Sequence, residues 1–258
     1  MAPVLLPICL GEATKFSSHL LEADKVYRTR VELGVITDTG DAEGSVMEQH
    51  EVPSLNVDDV EAVLSRFRGD IDQVPPMYSA LKHQGKKLYE LAREGKHVER
   101  AARRVSVYDA RLLSFDGTAF ELEVSCSKGT YIRTLAEDIG KALGCGAHIS
   151  QLRRLKTGPF LADAMWTLEA LEALADQAAL EAELMPVDVL VDHLPSLTVD
   201  DTAHSRLAHG QPATLTTGTL APEALARLYY AETFIGLGVV KGDQEVAPKR
   251  LLSTVAIS

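Results

Sequence analysis

The chain has little of what several protein classes require. Its 258 residues hold three cysteines, one tryptophan and only 5% aromatic residues. Cys9, Cys126 and Cys145 form no CxxC pair and leave an odd count, which argues against a disulfide framework. His204 with His209, and Cys145 with His148, lack the companion ligands of a zinc site, so no metal is expected. No apolar run approaches the roughly 20 residues that cross a bilayer. The opening MAPVLLPICLGEATK lacks the basic start and cleavage site of an export signal. These absences predict a reduced, cytoplasmic protein with no membrane partner.

Basic residues are missing from one long stretch. Residues 158–205 contain no Lys or Arg and ten acids, among them Asp163, Glu181, Asp188 and Asp201. The net charge of −11 is therefore almost entirely local, since the remainder of the chain sums to −1. Between Lys82 and Arg104 the balance reverses, with eight basic residues against Glu90, Glu94 and Glu99. Segregation of this kind makes a basic face for a polyanion compatible with an acidic total. On charge alone, a solvated helix face is the better explanation.

Hydrophobic content of 46% with 24% charged residues supplies a core of ordinary size. Residues 11–23 read as a helix leading into a strand over 26–33, where Tyr27, Thr29, Val31 and Leu33 alternate with charged neighbours. TDTGDAEG at 37–44 is turn chemistry, followed by a strand near 45–51. Asn56 caps a helix over 57–67, with Asp58 and Asp59 in its first turn. A helix near 87–94 ends at Gly95, and strands over 104–115 and 119–125 flank the hairpin signal Asp116-Gly117. Residues 130–143 are helical, 148–155 fit either a helix or a strand, and 167–180 form an acidic helix. Beyond Met185-Pro186, short β-prone runs at 196–199, 213–216, 234–240 and 250–255 indicate a small β module. The expected domains are 1–185 and 186–258, in an α+β arrangement.

Four local motifs could carry chemistry. KGTYIRT at 128–134 joins a strand to a helix: Gly129 permits a tight turn, Thr130 can cap, and free helix N–H groups suit an anion. Tyr131 and Arg133 would stand at that opening, a ring beside a guanidinium. Tyr27 sits on a strand face with polar neighbours Lys25 and Thr29, and its hydroxyl could act as acid, base or hydrogen-bond partner. Tyr78 lies in an irregular basic-flanked loop, and Leu152-Arg153-Arg154-Leu155 pairs apolar anchors with two arginines. Each also fits ordinary packing or a surface basic doublet.

Taken in order, these segments resemble a known family. LPICLGEATK at 6–15, DKVYR at 24–28, RGDIDQVPPMYSALK at 68–82, SKGTYIRT at 127–134 and GCGAH with LRRL at 144–155 match the TruB-type pseudouridine synthases in sequence and spacing. FIGLG at 234–238 and VAPKRL at 246–251 are similar to that family's PUA-like tail. The resemblance implies a pseudouridine synthase fold: a mixed, mainly antiparallel sheet with flanking helices, here without its first strand, plus a small C-terminal PUA-like β module. It implies isomerisation of uridine-55 in the tRNA T loop by base flipping, with no cofactor and a monomer on the T-stem loop. Tyr27 would stack on the uracil and assist proton removal, Arg133 would pair with the nucleophilic carboxylate, and Tyr131 and Leu152 would contact the base. Lys15, Lys82, Lys86 and Lys87 are the candidates for RNA backbone contacts.

The family's nucleophile lies in a run like Gly-Ala-Leu-Asp-Pro-x-Ala-Thr-Gly directly before LPICLGEATK. Alignment of that block puts Met1 two residues after the aspartate, with Pro3-Val4 in place of Thr-Gly. Asp24, Asp38 and Asp41 have the wrong context to replace it. The expectation is an active synthase in which Met1 is an internal methionine, the 258 residues alone being inactive because the catalytic Asp precedes them; the alternative is a catalytically inactive tRNA-binding or tRNA-folding protein.

Overall fold

Alternation of apolar and polar side chains places residues 25–33 at the centre of the fold. The structure, a computed structural model, describes residues 4–174, 176–242 and 244–253. A 3-10 turn at Gly11–Phe16 precedes α1 (Ser18–Glu22), β1 (Lys25–Leu33), β2 (Val35–Thr37), β3 (Val46–Gln49), α2 (Val57–Ser65) and β4 (Gly69–Gln73). Next come β5 (Lys82–His83), β6 (Lys86–Lys87), α3 (Leu88–Arg93), β7 (Arg103–Phe115), β8 (Ala119–Cys126), α4 (Ile132–Ala142), β9 (Ala147–Thr157) and β10 (Phe160–Leu161). The remainder is α5 (Leu168–Glu172), α6 (Gln177–Ala182), β11 (Ser196–Val199), α7 (Asp201–Ala208), β12 (Ala213–Thr214), β13 (Leu225–Tyr230), β14 (Thr233–Gly242) and β15 (Glu245–Leu251).

Two compact units result: residues 1–6 with 23–165, and residues 7–22 with 166–258. The first holds an antiparallel sheet in the order β10-β9-β1-β8-β7-β4. One face carries Val31, Phe120, Leu122 and Val124 against Ile132, Leu135 and Ile139 of α4 and Val60 and Leu64 of α2, in a single core. Asn56 accepts from the Asp58 and Asp59 N–H groups while Asp59 accepts from the Asn56 N–H, a reciprocal cap that fixes the start of α2. Arginine–carboxylate pairs link neighbouring strands, Arg28 with Glu121 and Arg111 with Glu123.

The second unit is built on the sheet β11-β13-β14-β15-β12, antiparallel except for β11 with β13. Leu197, Leu207, Leu228, Val240 and Val246 form its core. Residues 7–22 belong to this unit: Phe16 is fully buried with its ring 5.5 Å from Phe234. Lys15 Nζ donates to Glu12 (2.8 Å), the Leu251 carbonyl (3.1 Å) and the Ser253 hydroxyl (2.7 Å).

Several expectations are altered by the structure. The units change hands at Met165-Trp166 rather than Met185-Pro186, and the second recruits residues 7–22. Residues 148–155 are strand, not helix, and lie within β9 beside β1. The single helix expected over 167–180, of which residue 175 lies outside the described residues, is two short helices; the Asp176 side chain caps the second through the Ala179 N–H. β13 had no expected counterpart. The strand expected over 250–255 ends at Leu251, with residues 254 and 255 outside the described residues. The alignment at Met1 and Pro3 also concerns residues outside them.

Candidate active site

The residues singled out in the sequence lie at the start of α4 and on the core face of β1 and β9. Gly129 adopts φ +77° in the turn before the helix, a conformation that other residues adopt only with strain. Thr130 is not the cap: its hydroxyl donates back to the Ser127 carbonyl (2.9 Å). Tyr131 takes the N-cap position in extended conformation. Its N–H donates to Gln73 Oε1 (3.0 Å), and its carbonyl accepts from Gln73 Nε2 (3.3 Å). Gln73 is only 2% exposed, so a buried amide at the end of β4 clamps the helix start. The anion site expected there has already lost the Tyr131 N–H to this clamp.

Two turns farther apart in sequence converge on Arg133. Its Nη1 donates to the Thr39 carbonyl (2.9 Å) and to Asp41 Oδ2 (3.0 Å), while Nη2 donates to the Tyr78 carbonyl (2.6 Å). Three acceptors from two loops leave the guanidinium little rotational freedom. The turn on the Asp41 side is itself pinned, because Asp41 Oδ1 accepts from the Thr39 hydroxyl (2.6 Å) and the Glu43 N–H (3.2 Å). Gly40, at φ +73°, lies so close to α4 that a Cβ there would overlap the Glu137 carboxylate and approach Arg133 Cβ to 3.3 Å. Burial pushes the Glu137 carboxyl above its ordinary range, with Lys141, Arg133 and Arg100 pulling the other way.

Tyr27 and Leu152 supply the sheet side. Leu152 stands opposite Thr29 in the β1–β9 register, and Tyr27 opposite Arg154, so these side chains project from one face. Both Tyr27 and Leu152 are half-buried against the core that includes Ile132 and Leu135 of α4. Burial raises the Tyr27 phenol above its usual range, and Arg154 partly reverses that. Tyr27 and Leu152 thus share one sheet face packed on the core that includes Ile132, while Tyr131 and Arg133 flank Ile132 at the start of α4.

The candidate cations fall into two groups. Lys82, Lys86 and Lys87 lie on the hairpin β5–β6, with Lys82 paired to Lys87 and His83 to Lys86. The Lys87 ammonium and the Arg93 guanidinium each sit 5.4 Å from the centroid of the Tyr89 ring. Lys15 is not with them; it belongs to the other unit, where Glu12, Leu251 and Ser253 engage its ammonium. Gln73 and Asp41 were missed in the sequence. Gln73 precedes Val74-Pro75-Pro76, a run that signals only an extended path, and Asp41 reads as an ordinary turn residue.

Known proteins match this chain along its length. Residues 1–132 match the TruB family pseudouridylate synthase N-terminal domain, and residues 133–192 match the tRNA pseudouridylate synthase B C-terminal domain. Residues 195–252 match a pseudouridine synthase II TruB C-terminal region. A Chromohalobacter salexigens protein named tRNA pseudouridine synthase B is 64% identical over 258 residues, spanning 100% of this chain and 84% of that protein. The chain belongs to the TruB family of pseudouridine synthases.

A Chromobacterium violaceum TruB relative with the same name is 52% identical over 99% of this chain and 83% of its own length. Among solved structures, a Cbf5-Nop10-Gar1 complex superposes with a TM-score of 0.65 at 26% identity, covering 91% of this chain and 65% of that one. An H/ACA RNP bound to a substrate RNA shares the fold, with a TM-score of 0.67 at 22% identity over 94% of this chain and 70% of that one. The TruB membership agrees with the mixed α+β fold and its mainly antiparallel sheets. No helix among the described residues is long and apolar enough to cross a membrane.

Proposed function

We propose that this chain provides the uridine pocket of a tRNA pseudouridine synthase acting on position 55 in the T loop. The observation that supports the reading is that Tyr27 and Leu152 share one sheet face against a core that includes Ile132, the residue that Tyr131 and Arg133 flank at the start of α4. A uridine inside an RNA fold hides its reacting atoms, so the nucleotide must be extruded and its ring received by an aromatic face. Tyr27 offers that face, with Tyr131 and Leu152 closing around the base. The reaction breaks the bond from ribose C1′ to N1 and makes one to C5, with the C5 proton replaced by one on N1. No atom is gained and no redox equivalent is consumed, so no cofactor is called for. The protein works on the tRNA T-stem loop as a monomer in the cytoplasm, with Lys82, Lys86 and Lys87 against the RNA backbone.

The nucleophile in this proposal is an aspartate that the family pattern places ahead of Met1. Asp41 does not substitute for it. Both its oxygens are engaged, Oδ2 by Arg133 and Oδ1 by Thr39 and Glu43, which suits a residue that aims the arginine rather than one that attacks carbon. The 258 residues alone are then expected to bind tRNA without turning it over. Tritium release from tRNA labelled at uridine C5 tests isomerisation, and a gel shift tests binding. Release by the 258-residue chain would refute the assignment of the nucleophile. An absence of tRNA binding even at low salt, in a chain extended at its N-terminus by the family's aspartate-bearing run, would remove the reading altogether.

A further inference from the structure

Arg154 is a second arginine at the pocket, and the pocket pattern gives it no task. It faces Tyr27 across β1 and β9 at a register shift: Val26 pairs with Lys156 and Tyr27 with Arg154, so Leu155 is passed over. Two residues against one is the signature of a β-bulge, a device that re-aims a side chain. The guanidinium is anchored from behind, with Nε donating to the Leu5 carbonyl at 2.7 Å. The Leu5 N–H donates back to the Arg154 carbonyl at 3.4 Å, and the Leu5 side chain is 6% exposed. Arg154 therefore has a fixed end and a working end. The working end shares a sheet face with the Tyr27 side chain directly opposite, close enough for its charge to act on the phenol.

We propose that Arg154 is a positioning residue: its guanidinium, fixed at one nitrogen by Leu5, donates to the Tyr27 oxygen and holds that hydroxyl in one orientation. A planar guanidinium with one nitrogen committed to Leu5 presents its remaining N–H groups in a set direction, which a flexible ammonium does not. Burial is the larger influence on the phenol and opposes ionisation; Arg154 is the main influence in the other direction. The remaining titratable group that acts on Tyr27 is the Cys126 thiol of β8, itself pushed up to about 11 by burial and so uncharged near neutrality. The consequence for catalysis rests on the reading of Tyr27 as the base-facing tyrosine. The coupling between the two side chains does not.

The test uses the full chain with 3-fluorotyrosine at every tyrosine, which titrates below tyrosine and reports by fluorine NMR. Tyr27→Phe assigns the Tyr27 resonance among the seven tyrosines. In Arg154→Gln the Tyr27 midpoint is expected to rise by roughly one pH unit while the other resonances hold their positions. Arg154→Lys, which keeps a charge but replaces the planar fork by a flexible ammonium, should give a smaller rise. If the glutamine variant does not fold, the lysine variant decides alone. A Tyr27 midpoint equal to wild type in the folded variant overturns the proposal. The readout needs no turnover, so a chain that fails to isomerise uridine leaves it intact, and an unmoved Tyr27 leaves the pseudouridine synthase reading intact.

Discussion

The two units of this protein divide charge and chemistry between them. Residues 7–22 and 166–258 carry fifteen acids against six bases, a net −9 of the total −11, while the unit with β1 and α4 is close to neutral. The near-neutral unit holds Tyr27, Tyr131, Arg133 and Leu152 and the basic hairpin β5–β6. The acidic unit holds none of these. An RNA phosphate chain gains little from a surface of that sign, so affinity is expected to reside in the first unit. Whole-chain charge is thus a poor guide to a nucleic-acid partner when acids are segregated by unit.

The largest effect expected from separating the units lies in Phe16. It is fully buried and packs on Phe234, so Phe16→Ala should destabilise the second unit by about 3–5 kcal/mol, read as an early transition in urea. If the chain instead unfolds in one transition, the two units do not behave as separate cooperative blocks. Next comes the basic hairpin. Replacing Lys82, Lys86 and Lys87 by Gln should weaken tRNA binding about 10- to 100-fold and lower the salt slope by about one per lysine. A slope unmoved by all three changes would shift the RNA surface elsewhere.

Lys15 supplies the sharper contrast. Its ammonium is committed to Glu12, Leu251 and Ser253, so Lys15→Met should cost about 1–2 kcal/mol in the second unit and leave the tRNA salt slope unchanged. A slope reduced by about one would return Lys15 to the RNA backbone set.

The smallest effect concerns pH. The Glu137 carboxyl titrates above its unfolded value because burial disfavours its charge, so it penalises folding when ionised. Stability is therefore unpenalised below the unfolded carboxylate range and declines as pH rises through the folded value. Glu137→Gln should raise the melting temperature at pH 8, with the gain vanishing near pH 4. A gain independent of pH would assign the effect to packing instead.

Local signals made part of this structure legible in the sequence. Asp116-Gly117 between two alternating runs gave the β7–β8 hairpin, and Asn56 with Asp58 and Asp59 gave the start of α2. What failed was non-local. Residues 148–155 were ambiguous because register shifts at Ser150 and Leu155 break the alternation that marks a strand. β13 was overlooked since EALARL carries good helix formers, and its place in a sheet between β11 and β14 overrides that preference. The membership of residues 7–22 in the second unit depends on contacts with residues more than 200 positions away, such as Phe16 with Phe234. The site followed the same rule: Tyr27, Tyr131, Arg133 and Leu152 stood out in motifs, whereas Gln73 and Asp41 matter only through partners that folding brings to them.

Tritium release from C5-labelled tRNA, measured for this chain and for the chain extended at its N-terminus by the family's aspartate-bearing run, decides most directly. The account predicts release from the extended chain only, lost in its Arg133→Ala variant while tRNA is still bound. Release from the 258 residues alone, or undiminished release without Arg133, would contradict it.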